Sequence, residues 1–172
     1  MRRTLFLACA ALAIVLLSRP AVVLAGPNWR SWDAGLRDAA ASGRPVLVDV
    51  YTDWCGWCKR MDRDVYERAD IQAYLGRKFV TVKLDAEGND AAHYEGRAFT
   101  SRTLAARFGV TGYPTTMFLS RKGTHLGNVP GYSPPADFLL LLRFIGDGHA
   151  DRGERFEDFV RAAKAGGAHP RR

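Results

Sequence analysis

Two cysteines three positions apart, Cys55 and Cys58, stand directly behind a short β-branched apolar run at residues 45–51 (PVLVDVY) and ahead of a stretch with helical spacing. No other feature narrows the possible folds as much. An apolar run of that length is the pattern of a buried central strand. A turn at Thr52, Asp53 and Trp54 then leads into a predicted helix over residues 55–66. Cys55 therefore opens a helix, where free backbone N–H groups and the positive end of the dipole stabilise a thiolate, so its thiol should titrate below the ~8.5 of a free cysteine. Cys58 lies one turn on, on the same side and close enough to close a disulfide. It is expected to be the more buried of the two and to act second. In that scheme thiolate Cys55 attacks a substrate disulfide, a mixed disulfide forms, and Cys58 resolves it.

Other uses of the pair carry less support from the sequence. A zinc site needs four ligands, commonly two such pairs. The histidines His93, His125, His149 and His169 show no close pairing to supply the rest, so no metal is expected. A permanently closed Cys55–Cys58 bridge would encircle a tiny loop and be a weak staple. Copper handling by the two thiols stays open as an alternative.

The first 25 residues differ from the rest. Arg2 and Arg3 precede an almost wholly apolar run over residues 4–17, and small residues gather toward Ala25. This is the pattern of a cleaved export signal, with an uncleaved anchor as the alternative. The run of 14 residues is shorter than the roughly 20 that cross a bilayer. Cys9 lies inside it, so cleavage after Ala25 would leave Cys55 and Cys58 as the only cysteines. It would also leave 22 basic residues against 18 acidic ones, a charge of +4 instead of +7. The basic residues are interspersed with acids, as in Lys59-Arg60-Met61-Asp62-Arg63-Asp64, and form a solvated surface with no nucleic-acid patch. An exported chain with one close cysteine pair is not a disulfide-stapled scaffold; its pair is chemical.

Along the chain, helices are expected at residues 29–42, with Trp32, Leu36 and Ala39/Ala40 on one face, and at 70–75, 101–108 (Ser101 as N-cap), 134–145 and 154–165. Strands are expected at 79–84, 115–119 and 125–129. Residues 85–100, rich in Gly, Ala, Asn and charge, read as a loop or insertion. The tail, residues 166–172, is expected to be disordered. Helices alternating with strands and then an antiparallel pair imply an α/β fold with a central mixed β-sheet flanked by helices on both faces. The organisation expected is a signal peptide (1–25), one globular domain (26–148) and a C-terminal helical extension with its tail (149–172).

The segment from Val46 to Pro130 resembles thioredoxin. VDVYTDWCGWCK looks like the strand and active-site turn of that family. Phe108-Gly109-Val110-Thr111-Gly112-Tyr113-Pro114-Thr115 looks like its cis-proline segment, and Lys122-Gly123 and Gly131 match its later glycines. The export context and the Lys-Arg-Met-Asp continuation are most similar to the thioredoxin-like domains of bacterial periplasmic thiol–disulfide interchange proteins. The resemblance implies a cis Pro114 facing the cysteines, with the Tyr113 backbone exposed to pair with an extended substrate. It implies that Asp49 is the buried acid beneath the disulfide and Lys83 the lysine paired with it. An Asp amid Val, Leu and Tyr is costly to bury ionised, so its pKa should rise, and it can then relay the proton of Cys58. An outward-facing Asp49–Lys83 pair on the sheet is the alternative. Trp57 departs from the family's usual proline between the cysteines. With Trp54, Gly56, Tyr113 and Pro114 it is expected to border a substrate groove, or simply to lie exposed on the rim. His93 and Tyr94 are placed on a plain surface loop.

These readings describe an exported thiol–disulfide oxidoreductase, of the periplasm or another exported compartment, acting on protein thiols and disulfides in the reducing direction. It needs no cofactor, because Cys55 and Cys58 carry the electrons. It would be a monomer in its mature form and be recharged by a membrane electron donor. The alternative is a non-enzymatic metallochaperone or adaptor module on the same fold.

Overall fold

A computed structural model describes residues 27–166; the expected signal peptide and nearly all of the expected disordered tail lie outside the described residues. The strand behind the cysteines, β1 (Val46–Tyr51), is central. Its sheet runs β2 (Val80–Asp85), β1, β5 (Thr115–Leu119), β6 (His125–Pro130), with β1 parallel to β2 and antiparallel to β5, and β5 antiparallel to β6. The sheet is thus mixed, as expected. Alternation along β1 assigns its two faces. Val46, Val48 and Val50 pack with Trp32, Leu104 and Phe108 under α1 (Trp32–Ser42) and α4 (Ser101–Arg107). Leu47 faces the other way, toward Met61, Tyr66, Ile71, Leu75, Phe138 and Leu142. That layer holds α2 (Gly56–Met61), α3 (Ala69–Lys78) and α5 (Pro135–Gly146). Asp49, two residues beyond Leu47, shares its face, so the one charged residue of β1 lies on the side covered by the cysteine-bearing helix.

The approach of α1 to the sheet depends on Gly35. A Cβ there would collide with Val82 Cγ2. Val82 is fully buried in β2, and its β-branched side chain has little freedom to turn away. Alanine in place of a mid-helix glycine gains about 0.5–1 kcal/mol in propensity, whereas overpacking of a tight core costs about 1–3 kcal/mol. The clash should win, and Gly35→Ala is expected to lower the urea midpoint. An unchanged or higher midpoint would show that α1 can move off the sheet at little cost.

The structure departs from expectation most clearly at residues 85–100. They are not an irregular loop: Ala91–Tyr94 (β3) and Arg97–Thr100 (β4) form an antiparallel hairpin. Its two-residue turn, Glu95-Gly96, has φ of 50° and 74°. Positive φ at both central residues gives the turn whose twist matches the flanking strands. The strands are four residues long, and glutamate rarely takes positive φ, so composition hid them. Ala92 and Tyr94 point inward, and Tyr94 packs on Trp32 and Phe108 with centroids 5.9 and 4.9 Å away. His93 is committed to α1: its N–H donates to Asp33 Oδ1 at 2.8 Å, its Nδ1 lies 2.8 Å from Asp33 Oδ2, and its carbonyl accepts from Trp32 Nε1 at 2.9 Å. Neither residue sits on a plain surface loop.

Smaller corrections have local causes. Helix α1 starts at Trp32, not residue 29, because Arg30 is extended and bonds to β2, its N–H donating to Thr81 O at 2.9 Å and its carbonyl accepting from Lys83 N at 3.1 Å. Ala40 is exposed, and Gly35 takes its place on the buried face. The N-cap of α4 is Thr100, not Ser101: the Thr100 hydroxyl accepts from Thr103 N–H, and the Thr103 side chain reciprocates. Helix α3 runs past residue 75 to Lys78. Helix α6 (Phe156–Ala165) docks Phe156 and Phe159 against Phe144 of α5, at 5.2 and 5.6 Å. Among the described residues no helix is long and apolar enough to cross a membrane.

Candidate active site

The carboxyl-terminal end of β1 delivers the chain to Cys55, the N-cap of α2, and Cys55 and Cys58 are joined as a disulfide with Cα atoms 5.3 Å apart. The Cys58 backbone N–H donates to Cys55 Sγ at 3.0 Å. When the bond is reduced this donor and the helix terminus favour negative charge on that sulfur. The expected difference in burial is absent in the oxidised state: each cysteine is 4 % exposed, since the bonded sulfurs cover one another. Gly56 leaves the rim open between them, as a Cβ there would meet nothing within 4 Å.

Two aromatic pairs, one led by Trp54 and one by Trp57, form walls beside the cysteine turn. Trp54, 66 % exposed, sets its ring edge-to-face on Tyr113 at 6.0 Å and donates from Nε1 to Glu87 Oε2 at 3.0 Å. Trp57, 55 % exposed, lies against Tyr132 at 5.7 Å, and the Arg60 guanidinium sits over both rings, 5.2 and 5.6 Å from their centroids. The Tyr113–Pro114 peptide is cis. Pro114 O accepts from Gly131 N–H at 2.8 Å, which pins the loop after β6 beside it. No described residue takes a backbone hydrogen bond from Tyr113 N–H or gives one to its carbonyl.

Beneath the walls, Asp49 lies in register with Lys83 of β2 on one side and Thr116 of β5 on the other. It is 2 % exposed, and its Oδ1 has no hydrogen-bond partner among the described residues. Lys83 Nζ reaches Asp49 Oδ2 at 3.5 Å, but its hydrogen bonds, at 2.8 and 2.9 Å, go to Asp62. Two acids therefore share one ammonium, and the half-buried Asp62 holds it. Burial pushes the Asp49 carboxyl up to about 7; Lys83 pulls it back only in part, and the charge of Asp62 adds to the rise. Burial acts to lower the Lys83 ammonium, yet its bond to Asp62 and the two carboxylate charges hold it above its ordinary value. Lys83 also lies 4.9 and 5.3 Å from the ring centroids of Tyr51 and Trp29.

Asp62, Arg60, Tyr132 and Glu87 were not singled out by the sequence. Asp62 left a usable signal: it follows Cys58 by four positions, which puts it on the same helix face. There the helix changes pitch, and Asp62–Tyr66 form a π-helical turn in which Glu67 N–H donates to Asp62 O at 2.9 Å. Such turns recur at functional sites. Tyr132 and Glu87 approach only through the fold.

Residues 32–146 match the family model of the thioredoxin-like domain. The thiol:disulfide interchange protein DsbD of Ralstonia nicotianae is 34 % identical over 112 residues, which is 64 % of this chain and 17 % of that protein. The chain thus spans about a sixth of that relative's length. The disulfide bond reductase DsbH of Chlamydia pneumoniae is 25 % identical over 118 residues, 68 % of this chain and 69 % of that one. A solved thioredoxin from Thermus thermophilus superposes with a TM-score of 0.61 at 28 % identity, covering 76 % of this chain and 95 % of that one.

Proposed function

The chain belongs to the thioredoxin-like domain family, and from that premise we propose that it is an exported thiol–disulfide oxidoreductase that reduces disulfides of protein substrates through Cys55 and Cys58. One observation carries the reading: the two sulfurs meet at the start of α2, with the Cys58 N–H aimed at Cys55 Sγ. Cys55, as thiolate, attacks a substrate disulfide. One substrate sulfur leaves as a thiol, and the other stays bonded to Cys55. Cys58 then gives up its proton and attacks Cys55 Sγ, which releases the second substrate thiol and leaves the protein oxidised. Asp49 is the base for that proton. A carboxyl held near neutrality is matched to both accepting and returning it, and Asp49 shares the face of β1 on which Leu47 packs with Met61 of the cysteine-bearing helix. Lys83 is a positioning residue, its ammonium lying between Asp62 at 2.8 Å and Asp49 at 3.5 Å. The Tyr113 backbone ahead of Pro114 pairs with the extended substrate, and Trp54, Gly56 and Trp57 border the groove in which it lies.

The reducing direction is supported by Asp49 and Lys83 and by the disulfide reductase among the relatives. Export is supported by the apolar leader at residues 1–25. A reductant in an exported compartment needs a membrane donor to recharge it, and the mature chain would act as a soluble monomer. The test is insulin reduction driven by dithiothreitol. The chain is expected to accelerate it and Cys55→Ser to lose the acceleration; equal rates would remove the enzyme reading. In that event stoichiometric copper(I) binding that needs both cysteines would assign the fold to metal handling. For a reductant the Cys55–Cys58 couple should equilibrate near the ~−270 mV of thioredoxin-like pairs, and a value near ~−120 mV would reverse the direction.

A further inference from the structure

We infer that the site selects polypeptide disulfides whose reacting cysteine has an acidic neighbour on the flank facing β6, and that Arg60 is the residue that selects it. The inference rests on the exchange activity proposed above. Strand order places Glu87 and Tyr132 at opposite ends of one sheet edge, with Tyr113, ahead of β5, between them. Glu87 follows β2, and Tyr132 follows β6, with the ends of β1 and β5 between them. Three strand spacings separate the two ends, about 14 Å, the span of a few extended residues. A substrate strand paired with Tyr113 therefore extends toward Glu87 on one flank and toward Tyr132 and Arg60 on the other.

The walls differ in sign. At the β2 end stand Asp53, Asp85 and Glu87; Arg102 donates to the Glu87 carbonyl at 2.7 Å and offsets part of this charge. At the β6 end Arg60 lies over Tyr132, and Asp64 takes Arg60 Nε at 3.1 Å and Arg63 Nε at 3.0 Å. Arg60 is thereby held from two sides, its guanidinium carbon over the Trp57 and Tyr132 rings and its Nε on Asp64. None of the described residues accepts from its two Nη groups. A guanidinium fixed by stacking and by Nε presents those donors in the fork that fits a carboxylate. Lysine at this place would keep the charge and lose the fork. Glu87, held by Trp54, gives the opposite flank the opposite preference.

The reduced full chain would be mixed with four cysteine peptides, each blocked as its thionitrobenzoate mixed disulfide, with glutamate or lysine placed immediately before or immediately after the cysteine. Attack on the peptide sulfur releases thionitrobenzoate, and Cys58 then releases the peptide thiol. At one of the two positions glutamate should react about five-fold faster than lysine, and the advantage should shrink in high salt. Arg60→Glu should invert that ranking, and Arg60→Lys should keep less than half of it. Equal rates for all four peptides, or a ranking unchanged in Arg60→Glu, would overturn the assignment of Arg60 while leaving the exchange reading standing. Release no faster than with Cys55→Ser would overturn the exchange reading itself.

Discussion

Replacing Asp49 with asparagine is expected to stabilise the oxidised chain at pH 9 by about 2–4 kcal/mol while changing little near pH 4. The folded chain raises this carboxyl from 3.8 to about 7, chiefly by burial. Between those values the folded state holds a proton that the unfolded state has released. Stability therefore falls as pH rises across that window and levels off at its lower value above about 7, where both states have lost the proton. Asparagine keeps the shape and cannot ionise, so its stability should be flat over the same range apart from the other groups. Lys83 is not orphaned by the change, since Asp62 holds it at 2.8 and 2.9 Å. Urea midpoints of both proteins at pH 4, 7 and 9, with the disulfide intact so that no thiol titrates, measure the effect. Parallel pH profiles would mean that Asp49 is ionised throughout with Lys83 as its counter-ion.

The same substitution should slow exchange. Loss of a positioned base costs about 10²- to 10⁴-fold in the step it serves, and in the proposed mechanism that step is deprotonation of Cys58 in the mixed disulfide. A rate inflection near pH 7 in the wild type, absent from Asp49→Asn, is the signature that separates proton transfer from a merely structural contribution. Greater stability and lower rate in one variant identify a group kept at a cost to the fold.

The sheet, its helical layers and the cysteine turn were legible because each rests on a short-range pattern. The run PVLVDVY reads as a buried strand on its own, and two cysteines at a helix start read as a redox pair on theirs. The placement of Asp49 came from resemblance, and the geometry of burial and register supplies its physical content. What stayed hidden was made by contacts between distant segments. Tyr94 becomes core only because the β3–β4 hairpin folds it under Trp32 and Phe108, and four-residue strands built on Ala, His and Arg carry little alternation to detect. The Lys83 bond to Asp62 instead of Asp49 follows from relative burial, which the sequence does not encode locally. Arg60 looked like one charge in a mixed run, and its stacking depends on Tyr132, which the loop after β6 brings across.

Cys58→Ala is expected to turn the reduced chain from a turnover catalyst into a trap. The variant loses the resolving sulfur but keeps the Cys58 backbone N–H that donates to Cys55 Sγ at 3.0 Å, so the attacking thiolate is still stabilised and the first exchange should proceed near its normal rate. Release then depends on an external thiol in place of one held a single helical turn away, with Cα atoms 5.3 Å apart. Fixed neighbours react as though present at very high concentration, so at millimolar external thiol the loss of turnover should be on the order of 10³-fold or more. Non-reducing electrophoresis and intact mass would show a one-to-one adduct between Cys55 and a substrate cysteine that dithiothreitol dissolves. Arg60→Glu in the same background should change which acidic or basic peptides accumulate in the adduct, joining the trap to the selectivity of the β6 wall. Prompt release of substrate thiol without an adduct would mean that another group resolves the intermediate, and the assignment of Cys58 would fail while that of Cys55 stood.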